Sequence, residues 1–293
     1  MEKYWELTQA LPNAFNQEVI QDFLLSLKLA NCSKHTILYY RRFLERFFSV
    51  QEESFTQLQP EPILKWFTTH VSHLKESSYR HKLDILSSFY NFCIQEEYLE
   101  QSPIKRRWFP RLPKSIPKYL DKEDIARIRQ ESENTLRNQV LVEFFLTTGC
   151  RVREVHELNR EDVDLESRTA CVRGKGRKIR YVHFTAKCAL LLGRYMDTCP
   201  KQSPALFVTL KKGNRLSIRG IQETIYKIGK KAGLSTKLYP HRFRHTFATE
   251  LLSKGAELSF IGDELGHADI GTTQIYARLP QREIVALYRK FMG

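Results

Sequence analysis

Cysteine is sparse and scattered in this chain. Cys32, Cys93, Cys150, Cys171, Cys188 and Cys199 include no C-x-x-C pair and have no neighbouring histidine at ligand spacing. That distribution argues against a disulfide framework and against a zinc site, and the expectation is a protein without a metal or a cofactor. No stretch approaches the ~20 apolar residues that a membrane span needs. The opening MEKYWELTQALPNAF has no basic segment followed by an apolar run and does not read as a secretory signal. Together these absences lead to the expectation of a cytoplasmic protein in a reducing compartment, with no membrane partner. Internal repeats, low-complexity tracts and the carboxylate cluster of a metal-dependent nuclease are missing too.

Positive charge is what the chain has in excess. Its 293 residues hold 47 Lys+Arg against 33 Asp+Glu, a formal net charge of +14. Residues 1–100 carry 10 basic against 13 acidic side chains, whereas residues 101–293 carry 37 against 20. The excess therefore lies in the later part, and it points to a polyanionic partner; a solvated surface is the plain alternative. The length suits two domains, each large enough to bury its own core.

From residue 16 to 100 apolar side chains recur at helical spacing, as in Val19, Phe23, Leu24 and Leu27, then Ile37, Tyr40, Leu44 and Phe47. Ser33 reads as an N-cap, Pro60 and Pro62 open a third helix, and Ser77 or Ser78 a fourth. The expectation is a four-helix domain over 1–100. Arg41, Arg42, Arg46, Arg80 and Lys82 either line one of its faces or are ordinary solvated surface. Residues 101–120, QSPIKRRWFPRLPKSIPKYL, hold four prolines and six Lys/Arg with no acidic residue. This segment reads as a basic linker suited to lie along a phosphate backbone, or as a tether kept soluble by its charge.

Asp121, three residues before Asp124, then reads as an N-cap, and a helix runs through VLVEFFLTT. TACVR and IRYVHF alternate as strands around GKGRK, whose glycines permit a hairpin turn. Helices follow near Ala186–Met196, Ser217–Ala232, Phe243–Ser253 and Leu258–Leu265, with a terminal one over about Gln281–Phe291. The fold class is mainly α with a small antiparallel sheet, the domain from 121 to 293 being the mixed one.

Chemistry concentrates in that domain. TTGCRVREVHEL supplies Arg151, VRGKGRKIRYVHF supplies Lys175, PHRFRHTFATELL supplies His241 and Arg244, and ELGHADIGTTQIYARL supplies His267 and Tyr276. Singly, each has an ordinary explanation: a half-buried tyrosine, a surface arginine paired with Glu154, an exposed lysine at a hairpin tip. Together they meet the needs of a tyrosine attacking a phosphodiester, namely cations for the non-bridging oxygens, a base for the phenol and an acid for the leaving oxygen.

In this order the motifs resemble the tyrosine recombinase (phage integrase) family, most closely its Xer-like members. SKHTILYYRRFLERF and LSSFYNFCIQEEYLEQSPI are similar to the family's core-binding domain, so the resemblance covers nearly the whole chain. It implies a helical core-binding domain and a catalytic domain that form a clamp around duplex DNA. It further implies a site-specific recombinase acting through a 3'-phosphotyrosyl intermediate and a Holliday junction, as a homo- or hetero-tetramer on two recombination sites. Tyr276 is then the nucleophile, and Arg151 and Arg244 hold the non-bridging oxygens. Lys175 protonates the 5'-oxygen, His241 is the general base, His267 bonds the phosphate, and Glu154 orients Arg151. The 17 residues after Tyr276 are expected to form a tail helix that docks into a neighbouring protomer. Cys150 departs from the leucine more usual there. Two rivals remain, a type IB topoisomerase and a DNA-binding protein without catalysis. The N-terminal resemblance argues against the first and the complete residue set against the second.

Overall fold

The computed structural model describes residues 3–112, 118–174, 178–200, 203–266 and 273. The chain divides into two units, Met1–Lys114 and Ser115–Gly293.

The first unit holds four helices, α1 (Ala14–Leu29), α2 (Lys34–Phe48), α3 (Pro60–His70) and α4 (Glu76–Gln95). Their starts follow local chemistry. The Asn13 and Ser33 side chains accept from the backbone N–H of Asn16 and Thr36, satisfying donors that the first turn leaves without partners. Proline at the first position of α3 has no N–H to satisfy. The start of α4 differs from the sequence expectation. Lys75 is its N-cap, without a side-chain cap bond, and Glu76 in the first turn faces the positive helix end. Ser77 and Ser78 therefore lie inside the helix rather than opening it.

The apolar stripes meet in an aromatic-rich core of Phe23, Phe47, Phe48, Phe55, Phe67, Phe89 and Tyr90, all essentially buried. Many of these rings meet edge to face, as Phe47 does Trp66 with centroids 4.9 Å apart. Ile104, Trp108 and Phe109 pack against the same core, and Arg80 Nη1 donates to the Pro110 carbonyl at 3.3 Å. The start of the basic segment is thus held on the first unit by apolar burial, with its charged side chains at Lys105, Arg106, Arg107 and Arg111 exposed.

In the second unit the described elements are α5 (Lys122–Ser132), α6 (Leu136–Thr148), α7 (Val152–Glu157), β1 (Val163–Asp164), β2 (Thr169–Arg173), β3 (Ile179–His183), α8 (Ala186–Thr198), α9 (Ile218–Lys231), α10 (Pro240–Ser253) and α11 (Leu258–Leu265). Asp121 caps α5 by accepting from the Asp124 N–H at 2.6 Å. The sheet is antiparallel in the order β1-β2-β3, with Thr169 opposite His183 and Arg173 opposite Ile179. β1 is a two-residue edge, too short to leave an alternating pattern in the sequence. The Gln281–Phe291 helix lies outside the described residues.

α6 is the centre of this unit, buried along most of its length through Val140, Leu141, Val142, Phe144 and Phe145. Burying a phenylalanine such as Phe144 contributes about 3–5 kcal/mol relative to alanine. The one carboxylate of α6, Glu143, is also buried and is neutralised from two neighbouring helices. Arg129 of α5 forks onto it at 2.7 and 3.1 Å, and Lys187 of α8 donates to it at 2.8 Å. No described helix is long and apolar enough to cross a membrane.

Candidate active site

α6 ends at Gly149, whose φ of 60° lies in the left-handed region that glycine enters without strain. A Cβ there would sit 2.5 Å from the Phe247 ring. The chain can therefore turn sharply, and two residues later Arg151 becomes the N-cap of α7. Its backbone N–H donates to Glu154 Oε2 at 2.7 Å and its Nη1 to Glu154 Oε1 at 2.9 Å. The expected orienting contact from Glu154 is thus present as two bonds. The Arg151 side chain remains 30% exposed, so part of its guanidinium is open to a ligand.

α10 starts three residues before the expected Phe243 because Pro240 occupies its first turn. His241 and Arg244 consequently share one helix, one turn apart. Arg244 is buried; its Nη1 donates to the Gly149 carbonyl at 2.9 Å and its Nη2 to the Leu265 carbonyl at 2.6 Å. Arg151 Nη2 reaches the next carbonyl, Gly266, at 3.4 Å. The two expected clamp arginines, 93 positions apart in sequence, are therefore brought together at the C-terminal end of α11. That end presents carbonyls without helical partners and the negative pole of the helix dipole, both suited to a guanidinium.

His241 opens to solvent at the edge of this group. Desolvation by the surrounding protein lowers its pKa, and the cations of Arg244 and Arg151 lower it further, with Glu154 opposing. The imidazole is thereby held neutral near pH 7, the state a proton acceptor requires. Burial works against the charge on Glu154, but hydrogen bonds and charge from Arg180, then from Arg151, bring its pKa below the ordinary carboxylate value. Cys150, between Gly149 and Arg151, is fully buried, and that burial raises its thiol pKa to about 12. It fills core space and is not nucleophilic at neutral pH.

Lys175, His267 and Tyr276 lie outside the described residues. The described flanks of the hairpin, Gly174 and Lys178, are paired by a 2.7 Å bond from the Gly174 N–H to the Lys178 carbonyl. Among the described residues no group of three or more His, Cys, Asp or Glu is arranged to hold a metal ion.

The residue that sequence reasoning missed is Arg180 of β3. It donates from Nη1 and Nη2 to Glu154 at 2.7 and 3.1 Å, and from Nε to the Glu264 carbonyl at 3.1 Å. A signal was available. Arg180 has the same strand parity as buried Val182, while Ile179, Tyr181 and His183 point outward. A charged residue on the inward parity of a strand requires an internal partner.

Known proteins resemble the chain in sequence and in fold. Residues 118–283 match the family model described as phage integrase family, and residues 20–97 match the phage integrase N-terminal SAM-like domain. The chain is 33% identical over 276 residues to the tyrosine recombinase XerC of Oceanobacillus iheyensis, covering 89% of this chain and 90% of the relative. Among solved structures, XerA recombinase aligns with a TM-score of 0.57 and 28% identity, covering 94% of this chain and 98% of XerA. The XerH site-specific recombinase in a post-cleavage complex with its palindromic difH substrate aligns with a TM-score of 0.72 and 20% identity, over 98% and 91% of the two chains, a likeness of fold. With family models matching both parts of the sequence and a relative of this identity over most of its length, the chain belongs to the phage integrase family and is a tyrosine-type site-specific recombinase.

Proposed function

We propose that this protein is an Xer-like recombinase that cleaves and rejoins duplex DNA at a specific site, with Tyr276 as its nucleophile. The observation that carries the assignment of the site is the convergence of Arg151 and Arg244 on the adjacent carbonyls of Gly266 and Leu265, with His241 one turn before Arg244. Two guanidiniums held this way suit the non-bridging oxygens of one phosphate, whose geometry a planar fork matches.

The tyrosine oxygen forms a bond to phosphorus as the bond from phosphorus to the 5'-oxygen breaks. His241 accepts the phenolic proton, and Lys175 supplies a proton to the departing 5'-oxygen. His267 adds a hydrogen bond to the phosphate. The 3'-phosphotyrosyl ester keeps one phosphoester bond for each one broken, so a 5'-hydroxyl from a second duplex can reverse the step without an energy source. Exchange of one strand at each of two sites yields a Holliday junction, which calls for a tetramer of identical or paired protomers. In this reading residues 1–100 are the core-binding domain, 101–120 a basic linker and 121–293 the catalytic domain, the two domains clamping duplex DNA. The basic excess of residues 101–293 and the exposed charges of the linker support a polyanionic partner. A cytoplasmic location with access to the chromosome fits this role.

The test is covalent trapping. Fragments of the source genome retained by the protein define a duplex, and a nick near the cleavage point makes it a suicide substrate. Wild-type protein should form a denaturation-resistant adduct that Tyr276→Phe does not, while both bind the duplex equally. An adduct that persists in Tyr276→Phe would move the nucleophile to another tyrosine, with Tyr288 the first to examine.

A further inference from the structure

Arg180 and Arg151 use the same carboxylate in unequal ways. Arg180 forks onto it, Nη1 to Glu154 Oε1 at 2.7 Å and Nη2 to Oε2 at 3.1 Å. Arg151 contributes one side-chain bond, Nη1 to Oε1 at 2.9 Å, and its backbone N–H to Oε2 at 2.7 Å. Each carboxylate oxygen thus accepts twice, and the Glu154 carboxylate is almost completely buried, 2% exposed. Four donors leave it no rotation that keeps its bonds.

All three arginines also end on one backbone segment. The successive carbonyls of Glu264, Leu265 and Gly266 accept from Arg180 Nε at 3.1 Å, Arg244 Nη2 at 2.6 Å and Arg151 Nη2 at 3.4 Å. Gly266 has a left-handed φ of 63°, and a Cβ on it would lie 2.9 Å from Arg180 Cδ, so glycine is what leaves room for the Arg180 side chain. One strand residue therefore joins β3, the first turn of α7 and the end of α11.

A buried carboxylate draws in whatever cation is near it. Without Arg180, the cation left bonded to Glu154 among the described residues is Arg151, and a planar guanidinium facing a free carboxylate closes into a two-point fork. That fork would turn Arg151 inward and away from a ligand.

We propose that Arg180 is a positioning residue for the recombination reaction: by occupying Glu154 with its own fork, it restricts Arg151 to one side-chain bond there and keeps the remaining guanidinium edge directed at the scissile phosphate. The inference rests on the recombinase reading given above, since that reading supplies the phosphate. Arg180 itself need not touch DNA. Its loss changes the rate of cleavage and leaves affinity in place, because an interface with many phosphate contacts loses little binding when one guanidinium is misaimed.

The experiment uses the full chain and the nicked duplex recovered from the source genome. Wild-type protein must first form the covalent adduct; if it forms none, the recombinase reading falls and this inference falls with it. Given that adduct, Arg180→Ala should lower the cleavage rate at saturating duplex by about 10- to 100-fold, with the dissociation constant changed by less than about threefold. Arg180→Lys, which keeps the charge and the fold but not the fork, should fall between the two and supplies the reading if the alanine variant unfolds. In an Arg151→Lys background the same Arg180 change should cost less than about threefold more, since the group it positions is already gone. Wild-type rates in the single variants would overturn the proposal. So would a double variant whose loss is the product of the two single losses.

Discussion

Arg244 donates to the Gly149 carbonyl at 2.9 Å, and Gly149 lies two residues ahead of Arg151. The turn that ends α6 thus serves both arginines, holding one by its carbonyl and launching the other as the cap of α7. Both roles depend on a residue without a side chain. Gly149→Ala combines a left-handed φ, which costs an L-residue about 1–2 kcal/mol, with a Cβ that would sit 2.5 Å from the Phe247 ring. Crowding of that kind adds about 1–3 kcal/mol. Denaturant unfolding should show a loss of at least about 2 kcal/mol, and Gly149→Ala with Phe247→Leu should recover part of it. A midpoint equal to wild type for Gly149→Ala would mean that the turn relaxes freely and does not constrain the arginines.

Lys175 follows Gly174, whose N–H closes the β2-β3 hairpin onto Lys178. If its ammonium protonates the leaving 5'-oxygen, Lys175→Ala should slow cleavage of an ordinary suicide duplex by about 100- to 10,000-fold. A duplex with sulfur in place of the bridging 5'-oxygen leaves without needing a proton, and it should restore most of that rate. Equal defects on both substrates would reduce Lys175 to a simple phosphate ligand.

Local chemistry was legible in the sequence, and distant pairing was not. Ser33 and Asp121 cap the helices expected of them, and TACVR and IRYVHF pair as strands, because each outcome is decided within a few residues. The grouping of Arg151 with Arg244 was carried by family resemblance, since nothing in their spacing joins α7 to α10. Arg180 escaped because its partners, Glu154 and Glu264, stand 26 and 84 residues away. Only its inward strand parity hinted at them. The start of α4 was missed as well: serine is the better cap by propensity, but Lys75 takes that position, with Glu76 at the positive end of the helix.

The pKa of His245 is pushed down to about 4, first by burial and then by the charges of His241 and Arg244. Unfolding restores the ordinary value of about 6.5. Between these two values the unfolded chain binds a proton that the folded chain refuses, so stability should fall as pH drops through this window. Thermal unfolding between about pH 7 and pH 4 should show the decline, and His245→Asn should make it shallower. An identical slope in that variant would assign the acid sensitivity to other groups.

His241 bears on rate as well as on stability. Because desolvation and the two arginines depress its pKa, the neutral base persists below the usual titration point. At subsaturating duplex the midpoint of the pH dependence of cleavage should lie below the ordinary histidine value of about 6.5, so that more than half of the maximal rate remains at that pH. A rate already halved at pH 7 would mean that the base titrates at or above its ordinary value, and His241 would lose the role.

The charge excess of residues 101–293 makes salt the sharpest probe of how the protein holds DNA. Each phosphate neutralised by a lysine or arginine releases condensed counterion, so with roughly 6–10 phosphates engaged, affinity should drop by about three to five orders of magnitude between about 50 and 200 mM salt. Ile104, Trp108 and Phe109 bury the apolar side of the segment on the first unit, while Lys105, Arg106, Arg107 and Arg111 stay exposed. Neutralising these four exposed charges together with Lys114 and Lys118 should lower the slope of log affinity against log salt by up to about 0.9 for each phosphate that the segment no longer neutralises. Because the apolar anchors are left intact, the melting temperature should not move. An unchanged slope would make the segment a tether and reassign the phosphate-binding role to the two domains.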